Sequence, residues 1–140
     1  MNVILNTLYD LQPSTQTSDY LAVAQELMKR LQKRSFVILI SNLRDEDSEE
    51  LLAATQLLRK KHLVLLASLQ ERILNEVLEQ PVNTFEEALR HAATLDYLNY
   101  RQQIGETMKS HGILYLDATP EQLPVKIVNR YLEIKRGGML

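Results

Sequence analysis

The hydrophobic positions of the chain fall into two kinds of run, continuous and periodic. Phe36-Val37-Ile38-Leu39-Ile40 is continuous, stops at the small polar pair Ser41-Asn42, and is followed by the acidic Asp45-Glu46-Asp47. Large apolar residues without alternation are what a strand carries when both faces are covered, as in a parallel sheet between helices. His62-Leu63-Val64-Leu65-Leu66-Ala67-Ser68-Leu69 is a second such run, and Gly112-Ile113-Leu114-Tyr115-Leu116-Asp117 a third.

Elsewhere the apolar spacing is three and four. Val3, Ile4, Leu8 and Leu11 predict a helix over 2–11, closed by the breaker-rich Gln12-Pro13-Ser14-Thr15-Gln16-Thr17. Thr17 or Ser18 caps the next helix, which carries Tyr20, Val23, Ala24, Leu27 and Leu31 on one face. Its last turns gather Lys29, Arg30 and Lys33, cations that complement the helix dipole. Asp47 and Glu50 stand at capping-box spacing before a helix that runs to about Lys61 along Leu51, Ala54 and Leu58. A short helix over 71–79 stops before Pro81, because the residue preceding proline avoids the helical region. Thr84 and Glu87 form a second capping box at the head of a long helix to about Ser110, with the stripe Phe85, Ala88, Leu89, Ala92, Leu95 and Leu98. Gly112 suits a left-handed stop. Pro120 and Pro124 open the final helical turns, and Ile127, Val128, Tyr131 and Ile134 share one face before Gly137-Gly138.

Strands separated by helices imply right-handed crossovers and a parallel sheet. The expected fold is a single three-layer α/β domain over residues 1–140, with a parallel sheet of about three strands and flanking helices, a partial Rossmann-like arrangement. So small a sheet leaves an apolar strand at its edge. Phe36 to Ile40 has no charge or proline to blunt it, so we expect a homodimer along that edge or pairing with a partner segment.

Composition narrows the function classes. The 140 residues suit one core, and 45% hydrophobic with 24% charged content excludes a disordered chain. A net charge of -2 gives no overall pull towards nucleic acid or an anionic membrane. No apolar stretch approaches the about 20 residues of a membrane span, so the chain reads as soluble and cytoplasmic. Without cysteine there is no disulfide framework, thiol nucleophile or cysteine-ligated metal.

The chemistry-bearing residues point in more than one direction. In parallel sheets ligands sit beyond the carboxyl ends of the strands, which here means Ser41, Asn42, Gln70 and Asp117. Asn42 reads either as a ligand contact or as a turn residue, and Asp45 either as a cation ligand or as an acid at a helix start. His62 and His111 precede strands and His91 is inside a helix, with no zinc-binding spacing among them. Phosphate-loop, dinucleotide and nucleophile-elbow motifs are absent. Arg130, Lys135 and Arg136, with Arg101, form either a basic contact surface or solvated helix faces. Tyr131 is expected to anchor the last helix in the core.

Several stretches together resemble a known family. Asp10-Leu11-Gln12-Pro13, Ser18-Asp19-Tyr20, Arg34 to Leu39, Asp45-Glu46, Lys61-His62-Leu63-Val64-Leu65 and, most specifically, Asn129-Arg130-Tyr131-Leu132-Glu133-Ile134-Lys135 are similar to the carboxyl-terminal part of the bacterial family called domain of unknown function 58, a branch of the von Willebrand factor A-like fold. The resemblance implies a sheet whose first strands precede Met1, within a longer parent chain carrying hydrophobic segments. It also implies a partner-binding role alongside a MoxR-type AAA+ ATPase. Von Willebrand A-like domains hold magnesium through an Asp-x-Ser-x-Ser motif, which does not occur here. The resemblance places Ser18 at the loop hydroxyl and Ser41-Asn42 at the Thr-Asp position. A serine and a neutral amide supply too little charge for magnesium, so no cofactor is expected unless a longer chain adds ligands. The expected function is a noncatalytic interaction module; the alternative is a small hydrolase or ligand-binding domain using Asn42, Gln70 and Asp117.

Overall fold

The computed structural model describes residues 2–9, 11, 19–43 and 48–140, organised by a parallel sheet. In chain order the elements are α1 (Asn2–Tyr9), α2 (Tyr20–Arg30), β1 (Phe36–Ser41), α3 (Ser48–Arg59), β2 (Leu63–Leu69), α4 (Arg72–Glu79), α5 (Phe85–Ser110), β3 (Leu114–Ala118) and α6 (Leu123–Arg136). The strands lie in sequence order, β1-β2-β3, so α3 carries the first crossover and α4 with α5 the second. This is the three-layer α/β arrangement that the apolar runs predict.

Local chemistry sets the boundaries. Asp19 caps α2, its carboxylate accepting from the Ala22 N–H at 2.8 Å, in the role expected of Thr17 or Ser18, which lie outside the described residues. Asp47 also lies outside them. Glu50 reaches from α3 to α2, accepting from the Leu21 N–H at 3.3 Å. The second capping box is present: the Thr84 hydroxyl accepts from the Glu87 N–H, and the Glu87 carboxylate accepts from the N–H groups of Asn83 and Thr84. Those donors hold the Glu87 carboxyl below its usual range. Gly112 adopts φ +74° after α5, a conformation glycine reaches without strain, and it leaves room for the Arg59 guanidinium.

β2 is the central strand, and Val64 through Ser68 are all buried, which is why a run without polar alternation suits it. Successive side chains point to opposite faces. Val37, Leu39, Val64 and Leu66 face the layer of α2, α3 and α5, where Ala24, Leu51, Ala54, Leu58, Ile104 and Met108 complete the core. Burying each large aliphatic chain contributes about 1.5–3 kcal/mol.

The opposite face is more thinly covered. α6 lies over it, with Ile134 fully buried and the Tyr131 ring stacked on Phe36 at 6.3 Å between centroids. Tyr131 itself is 38% exposed, so Ile134 rather than Tyr131 anchors the helix. One helix does not cover the whole face: Ile40 remains 52% exposed, and Val125, Val128 and Leu132 make an outward stripe on α6. β1 stands at the sheet edge, as expected, and among the described residues no strand pairs its outer side.

α5 departs from the expected stripe. Its buried residues are Thr94, Arg101, Ile104, Gly105 and Met108, whereas Phe85, Ala88, Leu89, Ala92 and Leu95 are exposed and Leu98 is half-buried. The sheet packs on the carboxyl-terminal half of the helix, and that contact sets the phase of the buried stripe; the apolar row of the first half points elsewhere. Among the described residues no helix is long and apolar enough to cross a membrane.

Candidate functional site

The parallel register brings Ser41, Ser68 and Asp117 into one row across the carboxyl ends of β1, β2 and β3. All three point to the face covered by α2, α3 and α5, because they continue the alternation of Val37, Val64 and Tyr115. The row is polar where each strand's apolar run ends.

Arg101 from α5 closes over this row. Its side chain is 1% exposed, and Nη2 donates to Ser68 Oγ at 2.6 Å and to Asp117 Oδ1 at 2.6 Å. Nη1 donates to the Tyr97 hydroxyl at 3.2 Å, and that hydroxyl donates to the Leu43 carbonyl at 3.2 Å. The guanidinium also stands 5.5 Å from the centre of the Tyr97 ring. One side chain therefore ties together β2, β3 and the segment after β1. Burial works against the charged guanidinium, but the hydrogen bonds to Asp117 and Tyr97 outweigh it and raise its pKa above the ordinary value. Its Nε has no hydrogen-bond partner, a polar cost retained within the clamp.

The remaining strand end is held by a different pair. Ser41 Oγ and Tyr20 Oη are hydrogen-bonded at 2.9 Å, which fastens the start of α2 to the end of β1. Lys126 from α6 donates to the Asp117 carbonyl at 3.0 Å, so both layers converge on Asp117. Tyr115 lies beneath α5 at Gly105, where an added Cβ would stand 2.6 Å from the tyrosine ring. Burial pushes the Tyr115 phenol up; the Asp117 carboxylate adds to the rise, and the Ser68 hydroxyl and the Arg101 guanidinium oppose it. An open groove of about 380 Å³ runs beside Asp117, bordered by Gln102, Gly105, Glu106, Lys109 and Tyr115.

The residues singled out in the sequence meet only in part. Ser41 and Asp117 belong to the row, and Asn42 follows it as an exposed residue. Gln70 lies at the end of β2, its N–H donating to the Ala118 carbonyl at 2.9 Å and its amide donating to Asn75 at 3.1 Å. Arg130 is elsewhere, on α6 across the sheet, where it pairs with Glu133 at 3.1 Å. Ser18 and Asp45 lie outside the described residues. Arg101 belongs to no basic surface: it is buried at the strand ends. Nothing in the motif pattern marks Ser68, Tyr97 or Tyr20 for this site. The available signal was spacing, since Thr94, Arg101, Ile104 and Met108 share one helical stripe. Among the described residues no group of three His, Asp or Glu side chains is placed to hold a metal ion.

No family model, curated protein or solved structure matches the chain.

Proposed function

We propose that the chain is a noncatalytic protein-interaction module, acting in the cytoplasm and partnering a MoxR-type AAA+ ATPase in complex assembly or remodelling. The partner comes from the resemblance to the domain of unknown function 58 family. The observation that carries the reading is the inversion of polarity at the strand ends. Ser41 and Ser68 are turned inward and, with the partly exposed Asp117, are bound to Tyr20 and Arg101, while Ile40, just before Ser41 on β1, is 52% exposed. A site built for turnover keeps its polar groups aimed at substrate. Here they hold the scaffold, and apolar surface faces out.

The edge from Phe36 to Ile40, unpaired among the described residues, is the surface we assign to the partner, or to a second copy in a homodimer. A strand edge takes an added strand through main-chain hydrogen bonds and selects it through side-chain pockets. A second reading, small-ligand binding at the strand ends near Asn42, Gln70 and Asp117, draws on the exposure of the Asp117 side chain, 35%, towards the groove. Asn42→Ala and Ile40→Glu separate the two. The interaction reading expects binding to the purified ATPase to survive the first change and to fall with the second, with both variants melting as the wild type does. Loss of binding with Asn42→Ala alone would transfer the function to the strand ends.

A further inference from the structure

The amino ends of the strands gather the positive charge of the chain. α2, α3 and α5 each lead into the start of a parallel strand, so their closing turns and connections meet at one end of the sheet. Printed contacts join them there. Lys61 Nζ, before β2, donates to the Leu31 carbonyl at the end of α2 at 2.7 Å, and the Ser35 N–H, before β1, donates to His62 Nδ1 at 3.2 Å. The Arg59 guanidinium lies against Gly112, which leads into β3. α6 ends at the same place, because Lys135 Nζ stands 6.0 Å from the centre of the Tyr131 ring and that ring stacks on Phe36 at the start of β1.

This end carries cations without acids. Residues 27–36, 59–63, 107–114 and 134–140 hold ten of the 16 lysines and arginines and no aspartate or glutamate. Lys33, Arg34, Arg59, Lys60, Lys109 and Arg136 are exposed, and among the described residues no carboxylate forms an ion pair with them; Arg30 alone of this end is paired, with Glu26 at 2.7 Å. A helix dipole accounts for a cation in its last turn. It does not account for Lys33, Arg34 and Lys60, which lie beyond the last helical residues and repel one another. The opposite end is acidic, with Asp19, Glu49 and Glu71 at helix starts and Asp117 on β3. A net charge of -2 conceals this division.

Apolar side chains accompany the cations. Met139 and Leu140 are 46% and 52% exposed, and the Met139 N–H donates to the Ile134 carbonyl at 3.3 Å, which holds this segment at the end of α6. A basic surface beside exposed apolar chains supplies the two signals that together hold a protein on an anionic bilayer. Nucleic acid fits less well, because Phe36 and Tyr131 are stacked on each other, with Lys135 over the tyrosine, rather than presented to a base. We propose that the strand-start end docks on an anionic lipid surface, its cations over lipid phosphates and Met139 and Leu140 at the acyl boundary. The acidic end then faces away from the lipid, which fixes the orientation. This goes beyond the interaction reading and does not depend on it.

The test sediments the full chain with vesicles of phosphatidylglycerol in phosphatidylcholine and with vesicles of phosphatidylcholine alone. Binding is expected to the first only, and to fall as salt rises from about 50 to about 500 mM. Each cation near an anionic leaflet strengthens binding about fivefold, so Lys33→Gln/Lys60→Gln is expected to weaken it about twentyfold. That variant should melt as the wild type does, since both side chains are exposed. Met139→Ser/Leu140→Ser is expected to weaken binding about tenfold and to leave its salt dependence unchanged. Arg90→Gln, on α5 away from this end and paired with Glu86, is expected to bind as the wild type does. Equal binding to the two kinds of vesicle overturns the proposal, as does undiminished binding by Lys33→Gln/Lys60→Gln or an equal loss with Arg90→Gln. Tighter binding to duplex DNA or to polyglutamate than to the anionic vesicles at the same salt overturns it in favour of nucleic acid or an acidic protein.

Discussion

Replacing Asp117 with alanine strands a buried positive charge, and the cost follows from the partners that remain. Arg101 is 1% exposed and would keep only the neutral hydroxyls of Ser68 and Tyr97. Breaking a buried pair by removing one partner costs about 3–5 kcal/mol. Asp117 is 35% exposed, so water reaches the vacated position and places the expected loss near the lower end, about 3 kcal/mol. Arg101→Met removes the charge and leaves the fully buried Ser68 hydroxyl without its donor, a loss of about 1–3 kcal/mol. With the methionine in place, losing the carboxylate matters little. The double variant is therefore expected near the Arg101→Met value, which gives a coupling of about 3 kcal/mol between the sites. Urea unfolding of the four proteins at pH 7, followed by circular dichroism, closes the cycle. Losses that add to within about 0.5 kcal/mol would refute the clamp.

Other consequences are simpler to state. Gly105→Ala drives a Cβ to 2.6 Å from the Tyr115 ring and is expected to destabilise by about 1–3 kcal/mol; an unchanged melting temperature would mean that the ring yields freely. Tyr131→Ala is expected to cost about 1 kcal/mol, the worth of a half-exposed aromatic stack on Phe36, and a loss of about 3 kcal/mol would restore Tyr131 as a core anchor. His62 is buried, accepts from the Ser35 N–H at Nδ1, and has its pKa lowered by burial and then by Lys61. The unfolded chain therefore binds the proton first. The contribution of neutral His62 is complete above the unfolded value of about 6.5 and is lost as pH falls through the lower folded value. Denaturant midpoints of wild type and His62→Gln are expected to diverge across that interval, and parallel curves would contradict the assignment.

The fold was legible because its strands are continuous apolar runs between capped helices, and no competing pattern covers Val64 to Ala67. The capping box at Thr84 and Glu87 was legible for the same local reason. α5 was not, since its most regular apolar row, Phe85 to Leu95, is not its buried one; which stripe is buried depends on contacts far away in sequence. Arg101 was hidden by chemistry as well as distance. A buried guanidinium needs Asp117, Ser68 and Tyr97 together, and only the sheet register with α5 laid across it assembles them. The carboxyl ends of the parallel strands pick out Ser41 and Asp117, but strand direction does not decide whether such groups turn towards a ligand or towards the scaffold.

The central claim is that this chain binds a protein partner, and affinity capture with the full chain as bait, from lysate of the source cell, tests it most directly. Capture is run with and without ATP and magnesium and read by mass spectrometry. The account predicts recovery of a MoxR-type AAA+ ATPase, lowered by Ile40→Glu and retained with Asn42→Ala. Recovery of the bait alone under every condition would contradict it.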